Sequence, residues 1–354
     1  MYLRTPLYDI LKTQGAVFER YDEFQFELPA HFVSVEQEYR SLKQSCVGID
    51  FSYYGCIKLT GKHARDFLNR MSTNNLKNLN INEFASTVLT NDKGRIIDLI
   101  MLYRLEDGLL ITTSPQNHDN IIAWLEKYII MDDVKIENLS SKIIQLGLIG
   151  PRSSETMFKM TRMDPPKQNQ VVQFLIDGIN IYVAPSHQLD EGFLLITDIS
   201  LIDALWNLFV TQDIGFCGMD AYLAARIEQR KPIFRRELTD KYNPLEAGLT
   251  QAVSFNKGCY IGQEVIARLD SYNKIQKHLV QLKSEEPVLH GSKIMADNKE
   301  IGIITSSSYS YSNKQNLSLG YVKTEFTSEA ALSLIDMNGR SIRTEILPVN
   351  SKIT

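Results

Sequence analysis

Between residues 86 and 130 the spacing of apolar positions predicts three strands and a helix. Segments 86–90 and 96–105 read as strands around the turn Asn91-Asp92-Lys93-Gly94, and Asp107-Gly108 marks a hairpin into 109–113. Ser114 followed by Pro115 suits a helix cap and first turn. Ile121, Ile122, Leu125, Tyr128 and Ile129 give that helix its apolar face. A related order returns later. Segments 171–176 and 179–183 flank Asp177-Gly178, 193–196 adds a strand, and Leu201, Leu205, Leu208 and Phe209 mark a helix. Two units of strands, an Asp-Gly turn and a helix hint at internal duplication.

The flanking regions follow the same two periods. Segment 33–48 reads as a helix, 56–60 alternates as a strand, and Ala64, Phe67, Leu68 and Met71 recur at helical spacing. Asp220 suits the cap of a helix carrying Leu223, Ala224 and Ile227 and ended by Pro232. Residues 233–264 are loop-rich. Beyond about residue 275 the pattern shortens to alternating segments at 278–282, 301–304, 317–322, 331–335 and 342–347, with turn signals such as Asn338-Gly339. That predicts a small all-β barrel or sandwich, with 283–287 as a connecting loop. The chain thus divides into an α+β region, 1–274, and a β domain, 275–354.

Composition narrows the class. A chain of 354 residues suggests two or three domains and a sizeable core. A net charge of −4 gives no bulk preference for nucleic acid or anionic membrane. Cys46, Cys56, Cys217 and Cys259 are widely spaced, which indicates neither a disulfide framework nor a zinc site. The six histidines show no metal-ligating spacing, so no metal is expected. Residues 1–8 have no long apolar run and no segment reaches membrane-spanning length, so a cytoplasmic location is expected. Gly55, Gly61 and Lys62 miss the spacing and the Ser or Thr of a phosphate-binding loop, and that reading is rejected. There is no recognisable catalytic constellation.

The densest chemistry lies in Lys257-Gly258-Cys259-Tyr260-Ile261-Gly262-Gln263-Glu264. Two glycines and this charge density predict a loop leading into Val265-Ile266-Ala267. An ammonium beside a thiol favours the thiolate, which makes Cys259 and Lys257 the candidate reactive pair. On residue types alone, a small buried cysteine in a tight loop is the commoner reading.

This stretch resembles the K-G-C-Y-x-G-Q-E motif of the YgfZ family of folate-binding proteins, matching all eight positions. Arg4-Thr5-Pro6-Leu7-Tyr8, Thr90-Asn91-x-x-Gly94, Asp190-Glu191-Gly192-Phe193, Arg226-Ile227-Glu228 and 244–249 extend the resemblance to the T-protein superfamily over nearly the whole chain. The resemblance implies two interleaved α+β parts around a central folate site and a C-terminal barrel. It implies tetrahydrofolate or a derivative as cofactor, iron–sulfur enzymes, including those that modify tRNA, as partners, and an accessory role in their assembly, maintenance or repair. It places the folate on Asp98, Asp190, Glu191, Arg226, Tyr260 and Gln263.

Two departures bear on activity. T-proteins carry paired aspartates after the central glycine, where this chain has Asp98-Leu99, and their version of the eight-residue motif lacks cysteine. Both count against the alternative function, aminomethyl transfer to tetrahydrofolate in glycine cleavage. A one-residue slip would let Asp98 take the catalytic place. Lys231, Arg235 and Arg236, extended by Lys274 and Lys277, form either a solvated loop face or a rim for an anion, and Glu246 is a candidate to orient the motif loop.

Overall fold

Five strands of each α+β unit form an antiparallel sheet, and the two units repeat one element order. The computed structural model describes residues 2–348 except 177, 273, 329–331 and 337–338. In the first unit, strand Gly55–Thr60 leads to helix Ala64–Met71. The meander Glu83–Thr90, Ile96–Leu105, Gly108–Thr113 follows, and then helix His118–Glu126. In the second, strand Ile143–Ile149 leads to helix Ser153–Thr161. The meander Val172–Ile176, Ile179–Pro185, Gly192–Asp198 follows, and then helix Ile202–Thr211. In each sheet the last meander strand pairs with the strand that opened the unit. Beyond that opening strand, Lys135–Asn138 forms one edge of the first sheet and Val47–Asp50 one edge of the second. Val47–Asp50 precedes the first unit in sequence, so the two units interleave. The hint of duplication in the sequence corresponds to this repeated order.

Strand alternation sorts the cores. In Ile96–Leu105, Ile100 and Leu102 join the helix-side core with Phe67, Leu68, Ile121 and Leu125. Met101, Tyr103 and Leu105 point the other way, into a core shared with Ile49, Ile149, Leu194 and Ile196 of the second sheet. The second unit has its own helix-side core, with Met157, Leu205 and Phe209 against Leu146, Ile181 and Leu195. The sheets therefore share apolar faces, and helices cover their outer faces.

The C-terminal strands close into a six-stranded barrel in the order Lys277–Ser284, Gln315–Lys323, Lys299–Ser310, Lys293–Ala296, Leu332–Ile335, Ser341–Leu347. Lys293–Ala296 carries no sequence signal of its own, being four residues long and bulged after Ile294. Lys283 and Ser284, expected in a loop, continue the first barrel strand. Asp177 of the expected Asp177-Gly178 turn, Ala331 at the start of a predicted strand, and Asn338 of the Asn338-Gly339 turn lie outside the described residues.

Helix Met219–Glu228 joins the barrel to the sheets. It starts one residue before the expected cap, and Asp220 instead accepts a hydrogen bond from Tyr21 Oη at 3.0 Å. At its other end, Glu228 pairs with Lys43 at 2.9 Å and accepts from barrel Ser310 at 2.6 Å. Glu237, fully buried, accepts from Thr305 and Ser306 of the barrel, each at 2.6 Å, and pairs with Arg226 at 3.3 Å. No helix among the described residues is long and apolar enough to cross a membrane.

Candidate functional site

A cavity of about 540 Å³ opens where the two sheets, helix Met219–Glu228 and the loops after it converge. This volume is in the range of small-molecule sites, roughly 300–1,000 Å³. The first sheet contributes Phe84, Ser86, Leu99 and Met101, and the second contributes the loop Pro185-Ser186-His187-Gln188. Tyr54 and Tyr222 add aromatic wall, and Gln229, Arg230, Lys231 and Phe234 close the side nearest the barrel. None of the described lining residues is an aspartate or a glutamate.

Asp98 explains that absence. It sits one residue before Leu99 on the same strand, so its side chain takes the helix side while Leu99 takes the cavity. It is fully buried and accepts from Ser114 N at 2.9 Å, Ser114 Oγ at 2.5 Å and Asn117 Nδ2 at 3.2 Å. Burial raises its pKa to about 6 against the pull of these bonds. Ser114, expected to cap a helix, is thus committed to Asp98, and the helix begins four residues later at His118.

The loop after Pro185 places its acids elsewhere. Asp190 is exposed, forms an ion pair with Lys231 at 2.8 Å, and its N–H donates to Gln229 Oε1 at 2.8 Å. Glu191 is also exposed, with φ 59°, and its carbonyl accepts from Gly150 N at 2.7 Å. Both residues line an adjoining outer cleft with Pro151 and Ser153, which meets the cavity at Gln168, Pro185 and Ser186. His187 and Gln188, earlier in the same loop, line the cavity instead. Gln188 is buried, and its Nε2 has no hydrogen-bond partner among the described residues. His187 Nδ1 is likewise buried and unpartnered. Burial, and secondarily the Lys231 ammonium, lower the His187 pKa to about 3, so the imidazole is neutral. Sequence reasoning passed over Gln188. Its only signal is a polar residue next to Leu189, which is fully buried.

Arg226 does not line the cavity. Its Nη1 donates to Lys231 O at 3.1 Å and its Nη2 to Ser306 Oγ at 2.6 Å, beside the Glu237 pair. Of the expected basic rim only Lys231 reaches the cavity. Arg236 pairs with Glu23 at 3.3 Å, Arg235 lies beside the Phe234 ring, and Lys274 and Lys277 lie over Tyr272 and Tyr242.

The eight-residue motif forms a loop and a helix start, and it lies outside the cavity lining. Gly262 has φ 83° and opens helix Gln263–Ser271, which includes the Val265-Ile266-Ala267 run. A β-carbon at Gly262 would come within 2.6 Å of Asn91 O and 3.0 Å of Gly94 Cα. Thr90 Oγ1 donates to Ile261 O at 2.7 Å. The motif and the Thr90–Gly94 turn, separate in sequence, thus interlock. Lys257 does not serve the thiol. Its Nζ donates to Asn69 O at 2.6 Å, Ser72 O at 2.7 Å and Asn74 O, capping the carbonyl end of helix Ala64–Met71. Burial, then Lys77, lower its pKa to about 8. Tyr260 is buried with Leu245, Val253 and Ile266, and Gln263 Nε2 donates to Lys257 O at 3.4 Å. Glu246 accepts from Asn243 N and pairs with Arg95 at 3.2 Å, tying the turn to the 244–249 segment. Cys259 is exposed, whereas Cys56 and Cys217 are buried and Cys46 is half-buried.

Residues 7–257 match the GCVT N-terminal domain family, and residues 277–349 match the glycine cleavage T-protein C-terminal barrel domain. The chain therefore belongs to the glycine cleavage T-protein family. It is 26% identical over 362 residues to an aminomethyltransferase of Geobacillus sp. (strain WCH70), covering 98% of each chain. It is 33% identical over 288 residues to a putative chloroplastic transferase of Arabidopsis thaliana, covering 80% of this chain and 66% of that protein. The crystal structure of glycine cleavage system aminomethyltransferase T from Bartonella henselae superposes with a TM-score of 0.89 at 22% identity, over 99% of this chain and 98% of that one, which shows a shared fold.

Proposed function

We propose that this chain binds a reduced folate in the central cavity and acts as an accessory protein for iron–sulfur enzymes, without transferring an aminomethyl group. The observation that carries this reading is the cavity wall. Its volume, aromatic and aliphatic surfaces and two unpartnered polar side chains suit a pterin ring, and Lys231 suits an anionic tail. The bound folate would supply one-carbon chemistry, but transfer from an amine needs a group that orients and deprotonates the accepting nitrogen. The strand position aimed at the ligand holds Leu99, and Asp98 is turned away and fully engaged. The eight-residue match to the YgfZ motif and the exposed Cys259 support the accessory role. Thiolate is a suitable ligand for iron or acceptor for sulfur.

Full-length similarity to proteins named aminomethyltransferase favours a second reading, glycine cleavage itself. Both readings require folate, so one preparation separates them. Tetrahydrofolate binding is measured by calorimetry, and glycine-cleavage turnover is measured with the partner components supplied. Binding without turnover is the expected result. Turnover at a rate typical of enzymes, about 1 s⁻¹ or more, would establish the second reading and overturn the first.

A further inference from the structure

We infer that Gln188, held by Ser186 and assisted by His187, reads the hydrogen-bonding edge of the pterin in place of a carboxylate. The inference rests on the folate reading above and names the residues that would give it specificity. Gln188 is nine-tenths buried or more, lines the cavity, and leaves Nε2 unpartnered. A buried amide donor without a partner is costly unless a ligand engages it. Its Oε1 accepts from Ser186 Oγ at 3.1 Å. The Leu189 N–H donates to that same hydroxyl at 3.4 Å, taking up one of its acceptor sites while its proton serves the glutamine oxygen, and the two bonds together orient the amide. A carbonyl oxygen has two lone pairs, so Oε1 still accepts one more bond. Gln188 therefore presents one donor and one acceptor side by side. The 4-oxo pterin edge carries the complement, a ring N–H next to a carbonyl. His187 adds a third polar atom, Nδ1, on the same wall.

Asp190 and Glu191 are not placed for this task, since both face the outer cleft. An amide reader differs from a carboxylate reader in a testable way. A carboxylate only accepts, whereas a fixed amide distinguishes a 4-oxo ring from a 4-amino ring, because the latter sets donor against donor.

The test uses the full chain and 5-formyltetrahydrofolate as probe, followed by titration calorimetry. Gln188→Met, which keeps volume and removes both polar atoms, weakens binding by about ten- to a hundredfold, and by more than Asp190→Ala does. Thermal melting of the variant reports that it is folded. In competition against the bound probe, folic acid displaces at least about tenfold better than its 4-amino counterpart aminopterin, and Ser186→Ala narrows that gap by freeing the amide to rotate. Undiminished binding by folded Gln188→Met, a larger loss from Asp190→Ala, or no difference between the two competitors would overturn the inference and leave the folate reading standing. Failure of the unaltered protein to bind the probe would remove the folate reading, and this inference with it.

Discussion

Replacing Asp98 with asparagine should change the slope of stability against pH. The carboxyl is fully buried, and burial lifts its pKa from 3.8 to about 6. Between those values the folded protein retains a proton that the unfolded chain has lost. Its contribution is therefore most favourable below the unfolded pKa and declines as pH rises through the folded one. Two units at about 1.4 kcal/mol each amount to about 3 kcal/mol over the whole window, of which about 2 kcal/mol falls between pH 4.5 and 7.5. Asparagine does not titrate. It gives up acceptor capacity toward Ser114 at a cost of about 1 kcal/mol, but that cost is the same at every pH. The assay is urea unfolding of both proteins at pH 4.5, 5.5, 6.5 and 7.5. Other carboxylates titrate in both proteins and cancel in the difference. The stability of Asp98→Asn relative to the unaltered protein should rise by about 2 kcal/mol across the series. Parallel curves would refute the reasoning and show that the carboxyl ionises without penalty where it lies.

Three further outcomes follow from the geometry. Cys259 should react with iodoacetamide faster than the other three cysteines in the folded protein. Burial pushes Cys46 and Cys56 up to about 12 and raises Cys217 as well; mass-spectrometric mapping of early adducts decides the order, and first labelling at Cys46 would contradict it. Lys257→Met strands three main-chain carbonyls and should lower unfolding free energy by about 2–4 kcal/mol, read by denaturant titration; an unchanged midpoint would return the ammonium to a role at Cys259. Glu237→Gln breaks the buried pair with Arg226 and should cost about 3–5 kcal/mol, with calorimetry showing the barrel loosened from the sheets; a loss under about 1 kcal/mol would mean that Thr305 and Ser306 hold the contact without the charge.

Much of the architecture was legible because the period of the apolar positions survives in the folded chain. The strand Ile96–Leu105 and the helix Ala64–Met71 have the extents that their spacing predicts. Elements built from few or mixed residues were not legible. Ile143–Ile149 is apolar at almost every position because both of its faces are covered, so no alternation marks it. Val47–Asp50 is four residues long and owes its place to a sheet whose other strands lie a hundred residues away. Ser114 had the chemistry of a cap, but a buried carboxylate sixteen residues upstream competes for it, and only the fold brings the two together.

The site was less legible than the fold for a related reason. Charged residues attract attention in a sequence, yet most of those it singles out here are spent on holding the structure behind or beside the cavity. Lys257 caps a helix, Arg226 and Glu237 anchor the barrel, Asp98 secures the start of a helical segment, and Asp190 neutralises Lys231. What faces the ligand space is Leu99, several aromatic rings, amides such as Gln188 and Gln229, a neutral imidazole, and Arg230 and Lys231 as the cations on one side. Strand register decides this outcome. Because successive residues face opposite sides, the difference between Asp98-Leu99 and a pair of aspartates is the difference between a carboxylate behind the wall and one in front of it. The chain can therefore share the T-protein fold from end to end and still present a wall without acid to whatever it binds.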